Sequence, residues 1–127
     1  MQIIYLSFEQ VIFLHEKIIV RSGGLEGIRD FGLLYSAIER PKASFASKDL
    51  YASIFDKAAA LTHSLILNHP FIDGNKRTAL ASLIRFLEIN QKKIKANKKE
   101  FIELSLKIEN KKMNFKDIVG WLKEHAE

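Results

Sequence analysis

Apolar side chains recur three and four positions apart along most of the chain, the spacing of amphipathic helices. After a short extended start at residues 3–6, Ser7 and Gln10 stand at capping-box spacing, the hydroxyl accepting one orphan amide and the glutamine reaching back for another. This predicts a helix over residues 8–21 with Val11, Leu14, Ile18 and Ile19 on its buried side, ended by Gly23 and Gly24. Residues 27–32, GIRDFG, read as loop. A short helix over 33–39 closes at Pro41, because the residue before a proline is pushed out of the α region. A second loop carries Phe45, Asp49 and Tyr51.

From residue 53 to 68 the apolar positions Ile54, Ala58, Leu61 and Leu65 form one helical face, and Phe55, Ala59 and Ile66 widen it, which predicts a central helix. The small Ala58, Ala59 and Ala60 let neighbours approach closely. Pro70 breaks this helix and Gly74 permits a tight turn. The next helix is expected over residues 75–90, apolar almost all round between 79 and 89 and therefore buried. Two more, near 98–108 and 115–125, complete an all-α reading, with Asn114 as N-cap of the last. No repeat and no Gly/Ser- or Pro-rich linker divides the sequence, so a single domain over 1–127 is expected.

Composition agrees with that size. At 127 residues and 47% hydrophobic, the chain can bury roughly two thirds of the surface its unfolded form exposes. With no Cys, disulfide frameworks, thiol nucleophiles and thiolate metal sites are excluded. Acidic residues and a histidine interrupt the apolar N-terminal stretch before it reaches signal-peptide or membrane-span length, so a cytoplasmic protein with no membrane partner is expected. The net charge is +5, and eight lysines fall between residues 92 and 112. They alternate with Glu100, Glu103 and Glu109 without interleaved aromatic platforms. A solvated helical face is thus favoured over a nucleic-acid footprint.

The most polar short segment lies between the two most apolar helices: His69-Pro70-Phe71-Ile72-Asp73-Gly74-Asn75-Lys76-Arg77. A loop running into a helix start offers unpaired amides and partial positive charge, a ready anion site. Lys76 and Arg77 add a point charge and a planar fork for phosphate. Asp73 beside them makes sense as a cation ligand, since one carboxylate plus phosphate oxygens commonly holds Mg²⁺. His69 can take a proton from a hydroxyl near neutral pH. A plain helix cap with surface charges would explain any one of these residues alone, but explains the cluster less well.

Residues 69–80, HPFIDGNKRTAL, resemble the signature of the Fic/Doc superfamily, whose Fic branch reads H-x-F-x-(D/E)-G-N-G-R-x-x-R. His69, Phe71, Asp73, Gly74, Asn75 and Arg77 match. Lys76 replaces a glycine and Leu80 an arginine, and these departures are the pattern of the Doc, death-on-curing, branch. GIRDFGLLYSAI upstream extends the resemblance over nearly the whole chain. It implies a compact helical bundle and the toxin of a toxin–antitoxin pair: a Mg²⁺- and ATP-dependent protein kinase that phosphorylates a hydroxyl of translation elongation factor Tu and blocks translation. His69 would be the general base, Asp73 the Mg²⁺ ligand, and Gly74, Asn75, Lys76 and Arg77 the nucleotide-binding groups, with Lys76 and Arg77 also serving catalysis and Phe71 anchoring the loop. The rivals are Fic-type adenylyl transfer, against which Lys76 and Leu80 argue, and a non-catalytic basic module binding nucleic acid.

Many Fic proteins carry an inhibitory helix, (S/T)-x-x-x-E-(G/N), whose glutamate blocks the nucleotide site. The string occurs here at residues 22–27 and 105–110. Two glycines make the first a loop, and the second is expected to be helical until it runs into the turn at Lys111 and Lys112. Restraint is instead expected from a separate antitoxin whose disordered tail folds on the toxin. His63, six residues before His69, lacks the spacing of a zinc pair and reads as a satisfied, half-buried histidine. His15 has no motif around it. Arg29 and Asp30 fit either the target-binding side or a structural ion pair. Leu67 and Ala81 are apolar where relatives can carry polar groups that help to bind the nucleotide.

Overall fold

A computed structural model describes residues 2–127. Six α-helices follow in order: α1 (Phe8–Ser22), α2 (Phe31–Glu39), α3 (Ile54–Asn68), α4 (Asn75–Ile89), α5 (Lys98–Glu109) and α6 (Phe115–His125). A single 3₁₀ turn, Arg40–Lys42, carries Pro41 just after α2. Between α2 and α3 a two-stranded antiparallel hairpin, β1 (Ser44–Phe45) and β2 (Lys48–Asp49), occupies what the sequence reads as loop. Its turn places Ala46 and Ser47 at positive φ, a conformation that residue identity alone does not announce. The fold is all-α apart from this hairpin.

Helix starts follow side-chain chemistry. Ser7, Ser53, Asn97 and Asn114 each form a full capping box with the residue three positions on. Asp30 caps α2 through Leu33 N–H at 2.9 Å, which starts that helix two residues before the expected Leu33. The expected extended start is no strand. Its Ile4 backbone pairs instead with the side-chain amide of Asn90, at 2.9 Å to Oδ1 and 2.8 Å from Nδ2.

As its spacing predicts, α3 is central and packs against α2, α4, α5 and α6. Ala58, Ala59 and Ala60 are completely buried, which brings neighbouring backbones close. Leu34 and Ile38 of α2, Leu83, Phe86 and Leu87 of α4, Leu104 and Ile108 of α5 and Ile118 and Leu122 of α6 join α3 in the core. On α1 the buried stripe differs from the expectation: Val11 and Ile19 are buried, Leu14 and Ile18 only partly, and His15 takes the position between them. Helical periodicity gives the face, but not which polar residue finds a partner inside it.

Candidate active site

Residues 69–77 run from the end of α3, across a turn, into the first turn of α4. His69 caps α3 in the left-handed conformation, φ 46° and ψ 54°. For a non-glycine residue that conformation costs about 1–3 kcal/mol and needs surrounding restraint. Arg29 supplies it, donating from Nε to the His69 carbonyl at 2.6 Å and from Nη2 to the Asn68 carbonyl at 2.7 Å. The Arg29 and Asp30 amides both donate to the Pro70 carbonyl, at 2.7 and 3.0 Å, and Ile72 N–H donates to Gly27 O at 3.0 Å. The segment 23–30 is therefore the scaffold of the site. Arg29 and Asp30 each cap a helix rather than pairing with one another as a structural ion pair.

Phe71 is 1% exposed and anchors the loop in the core as expected. Asn75 grips the backbone of Phe71 at both ends, Oδ1 accepting from its N–H at 2.8 Å and Nδ2 donating to its carbonyl at 3.0 Å. Its side chain is a loop staple, which leaves the Asn75 backbone amide as the group free to face an anion. Any contact of Asn75 with phosphate would therefore run through its backbone amide, the side chain being occupied by the Phe71 backbone.

Asp73 is half-exposed and its carboxylate is fixed from two sides. Oδ2 accepts Leu25 N–H at 3.1 Å and Oδ1 accepts Gly74 N–H at 2.8 Å. These amides, the Leu25 bond first, hold its carboxyl below the usual range, with help from the Arg77 guanidinium 3.9 Å away. Gly74 follows at φ 77° and is the N-cap of α4, and it supplies no side-chain hydrogen bond. The first helical bond of α4 is Thr78 N–H to Gly74 O, so the Asn75, Lys76 and Arg77 amides open the helix unsatisfied by it. A positive helix terminus and an ionised carboxylate thus stand side by side.

Lys76 and Arg77 are both part-exposed. Arg77 donates to Gly23 O at 3.2 Å. The Lys76 ammonium sits 3.1 and 3.0 Å from the two carboxylate oxygens of Glu109, at the end of α5. Glu109 is the glutamate of the string at residues 105–110, and α5 ends there, running into a turn as expected. Its carboxylate nevertheless lies across the motif. His69, Ile72, Asp73, Gly74, Asn75, Lys76, Arg77 and Glu109 line one cavity of about 270 Å³, so every motif residue proposed for chemistry comes together.

Among the described residues no three His, Asp or Glu side chains cluster as a self-sufficient metal cage. One restrained carboxylate beside open amides suits Mg²⁺ that arrives with phosphate oxygens, because this ion keeps few protein ligands. Leu80, at the position of the second Fic arginine, is partly buried against the core, as is Leu67. His63 is half-buried, with Nδ1 2.9 Å from Arg40 Nη1, and burial first and that positive neighbour second depress its pKa. It is a structural histidine, as its spacing suggests. No helix is long and apolar enough to cross a membrane among the described residues.

The sequence model of the Fic/DOC family matches residues 5–87. Toxin Doc of Mycolicibacterium smegmatis is 52% identical over 68 residues, which span 54% of this chain and about half, 52%, of that protein's length. Protein kinase doc of Escherichia phage P1 is 37% identical over 86 residues, 68% of each chain.

Proposed function

The chain belongs to the Fic/Doc family, and from that premise we propose that it is a Doc-type toxin, a Mg²⁺- and ATP-dependent protein kinase acting on a hydroxyl of translation elongation factor Tu. The observation that carries the choice of branch is Lys76. Its ammonium stands in the cavity with Asp73 and the open end of α4, where the adenylylating branch has a glycine. The two relatives, one named as a toxin and one as a protein kinase, support the same branch.

In this reading His69 takes the proton of the target hydroxyl as its oxygen attacks the γ-phosphorus. The bond from that phosphorus to the β–γ bridging oxygen breaks and ADP leaves. The amides of Asn75, Lys76 and Arg77, the Lys76 ammonium and the Arg77 guanidinium meet the charge that develops on the transferred group. Asp73 holds Mg²⁺, which when bound neutralises phosphate charge. Asn75 and Arg29 keep the loop in place, and a general base in such a setting contributes about 10²- to 10⁴-fold. The antitoxin is a separate partner, and the site of action is the cytoplasm. The chain is taken as one domain.

The test is the intact mass of elongation factor Tu after incubation with the protein, ATP and Mg²⁺, with His69→Ala in parallel. A gain of one phosphate that the variant loses is the expected result. A gain of one adenylyl group reverses the branch, and an unchanged mass overturns the proposed target.

A further inference from the structure

We propose that His15, on α1, is a positioning residue for the active site: it fixes the peptide between Asp73 and Gly74 and through it the Asp73 carboxylate and the start of α4. The inference rests on the reading of that site given above. His15 is 4% exposed and lies four residues from each of the buried Val11 and Ile19. An apolar residue would suit that stripe better, since a buried imidazole needs a hydrogen-bond partner. The partner lies 58 positions away: Nε2 is 2.7 Å from the Asp73 carbonyl. A carbonyl only accepts, so Nε2 carries the proton and donates. The ring also lies flat on Phe71, centroids 3.8 Å apart and planes 6° from parallel.

The consequence follows from the geometry of one peptide. The Asp73 carbonyl and the Gly74 N–H belong to the same planar unit. Its oxygen end is held by His15 and its nitrogen end donates to Asp73 Oδ1 at 2.8 Å. With both ends held, the plane cannot rotate, and Gly74 stays at φ 77°, the angle from which α4 begins. If the donor at His15 is lost, the carbonyl is orphaned and the peptide is free to turn. The carboxylate then loses one of its two amide partners and its fixed distance from the open amides of α4. His15 therefore acts through Asp73 and does not touch the reactants.

Two substitutions separate this role from simple packing. His15→Phe keeps a flat ring on Phe71 and removes the donor, whereas His15→Gln keeps an N–H. Amide hydrogen exchange is read in the free protein, at Gly74 and Leu25 for the Asp73 contacts and at Leu83 and Phe86 for the core. In His15→Phe, exchange at Gly74 and Leu25 is expected to rise about tenfold or more with Leu83 and Phe86 unchanged, and His15→Gln is expected to restore most of the protection. Mg²⁺-dependent binding of ADP should weaken about ten- to a hundredfold in His15→Phe, the usual effect of removing a group that orients a ligand. Unchanged exchange at Gly74 and Leu25, an equal rise at the core amides, or no recovery in His15→Gln overturns the proposal. Exchange needs no nucleotide, so if the wild-type protein transfers no phosphate and Gly74 still responds, the kinase reading falls and the positioning role stands.

Discussion

Replacing Glu109 by Gln removes one negative charge from the cavity at nearly constant shape. In the structure that charge occupies Lys76, with both carboxylate oxygens within 3.1 Å of the ammonium. The two side chains are 39% and 26% exposed, so solvent screens the pair and its worth is discounted toward that of surface ion pairs, about 0.2–1 kcal/mol. A phosphate that recruits Lys76 must displace this contact or share it, and must also sit near the Glu109 carboxylate. Removing the charge should therefore favour Mg-ATP binding by about 0.5–1 kcal/mol, or about two- to fivefold in Kd. Isothermal titration of Mg-ATP into wild type, Glu109→Gln, Lys76→Met and the double variant measures it. The gain should shrink in the Lys76→Met background, because the part that comes from freeing Lys76 is lost there while direct phosphate–carboxylate repulsion remains. It should also shrink with added salt. Weaker binding in Glu109→Gln, or an equal gain with and without Lys76, would refute the reasoning.

Gly24 sits at φ +124°, and a Cβ there would lie 2.6 Å from Asp73 Oδ2 and 3.3 Å from the Arg77 guanidinium. Gly24→Ala should displace the carboxylate and abolish most Mg²⁺-dependent nucleotide binding. Gly23→Ala, with nothing within 4 Å of its Cβ, should lose only about 1–3 kcal/mol of stability from backbone strain, as thermal unfolding would show. Asn75→Ala leaves the Phe71 N–H and carbonyl unpaired and should cost about 1–3 kcal/mol, measurable in urea. For Asp73 the native amide contacts lower the folded pKa, so its contribution to stability is full above the ordinary carboxylate pKa of about 3.9. That contribution is lost as pH falls through the lower folded value. Amide exchange at Leu25, followed from pH 5 downward (roughly one unit above that reference) and corrected for intrinsic rates, should show protection fading only in that acid range, and Asp73→Asn should lack the transition.

The elements themselves are local events, and the sequence determined them. Capping boxes at Ser7, Ser53, Asn97 and Asn114 and the breaks at Gly23, Pro41 and Pro70 set helix limits through contacts only a few residues long. The motif at residues 69–77 was legible for the same reason, because helix end, turn and helix start are consecutive. What only the tertiary structure decided is how distant side chains occupy that motif. Arg29 restrains His69 from 40 positions away, His15 holds Asp73 from 58, and Glu109 meets Lys76 from 33. Glu109 ends a six-residue pattern, Arg29 lies in the GIRDFG stretch and His15 on the α1 stripe, but none of these local signals names the distant partner, since that is chosen by which helix ends the packing of α3 and α4 brings together. Asn75 shows the limit most plainly: its place in the motif was readable, but whether its amide faces phosphate or the loop backbone depends on where Phe71 is buried.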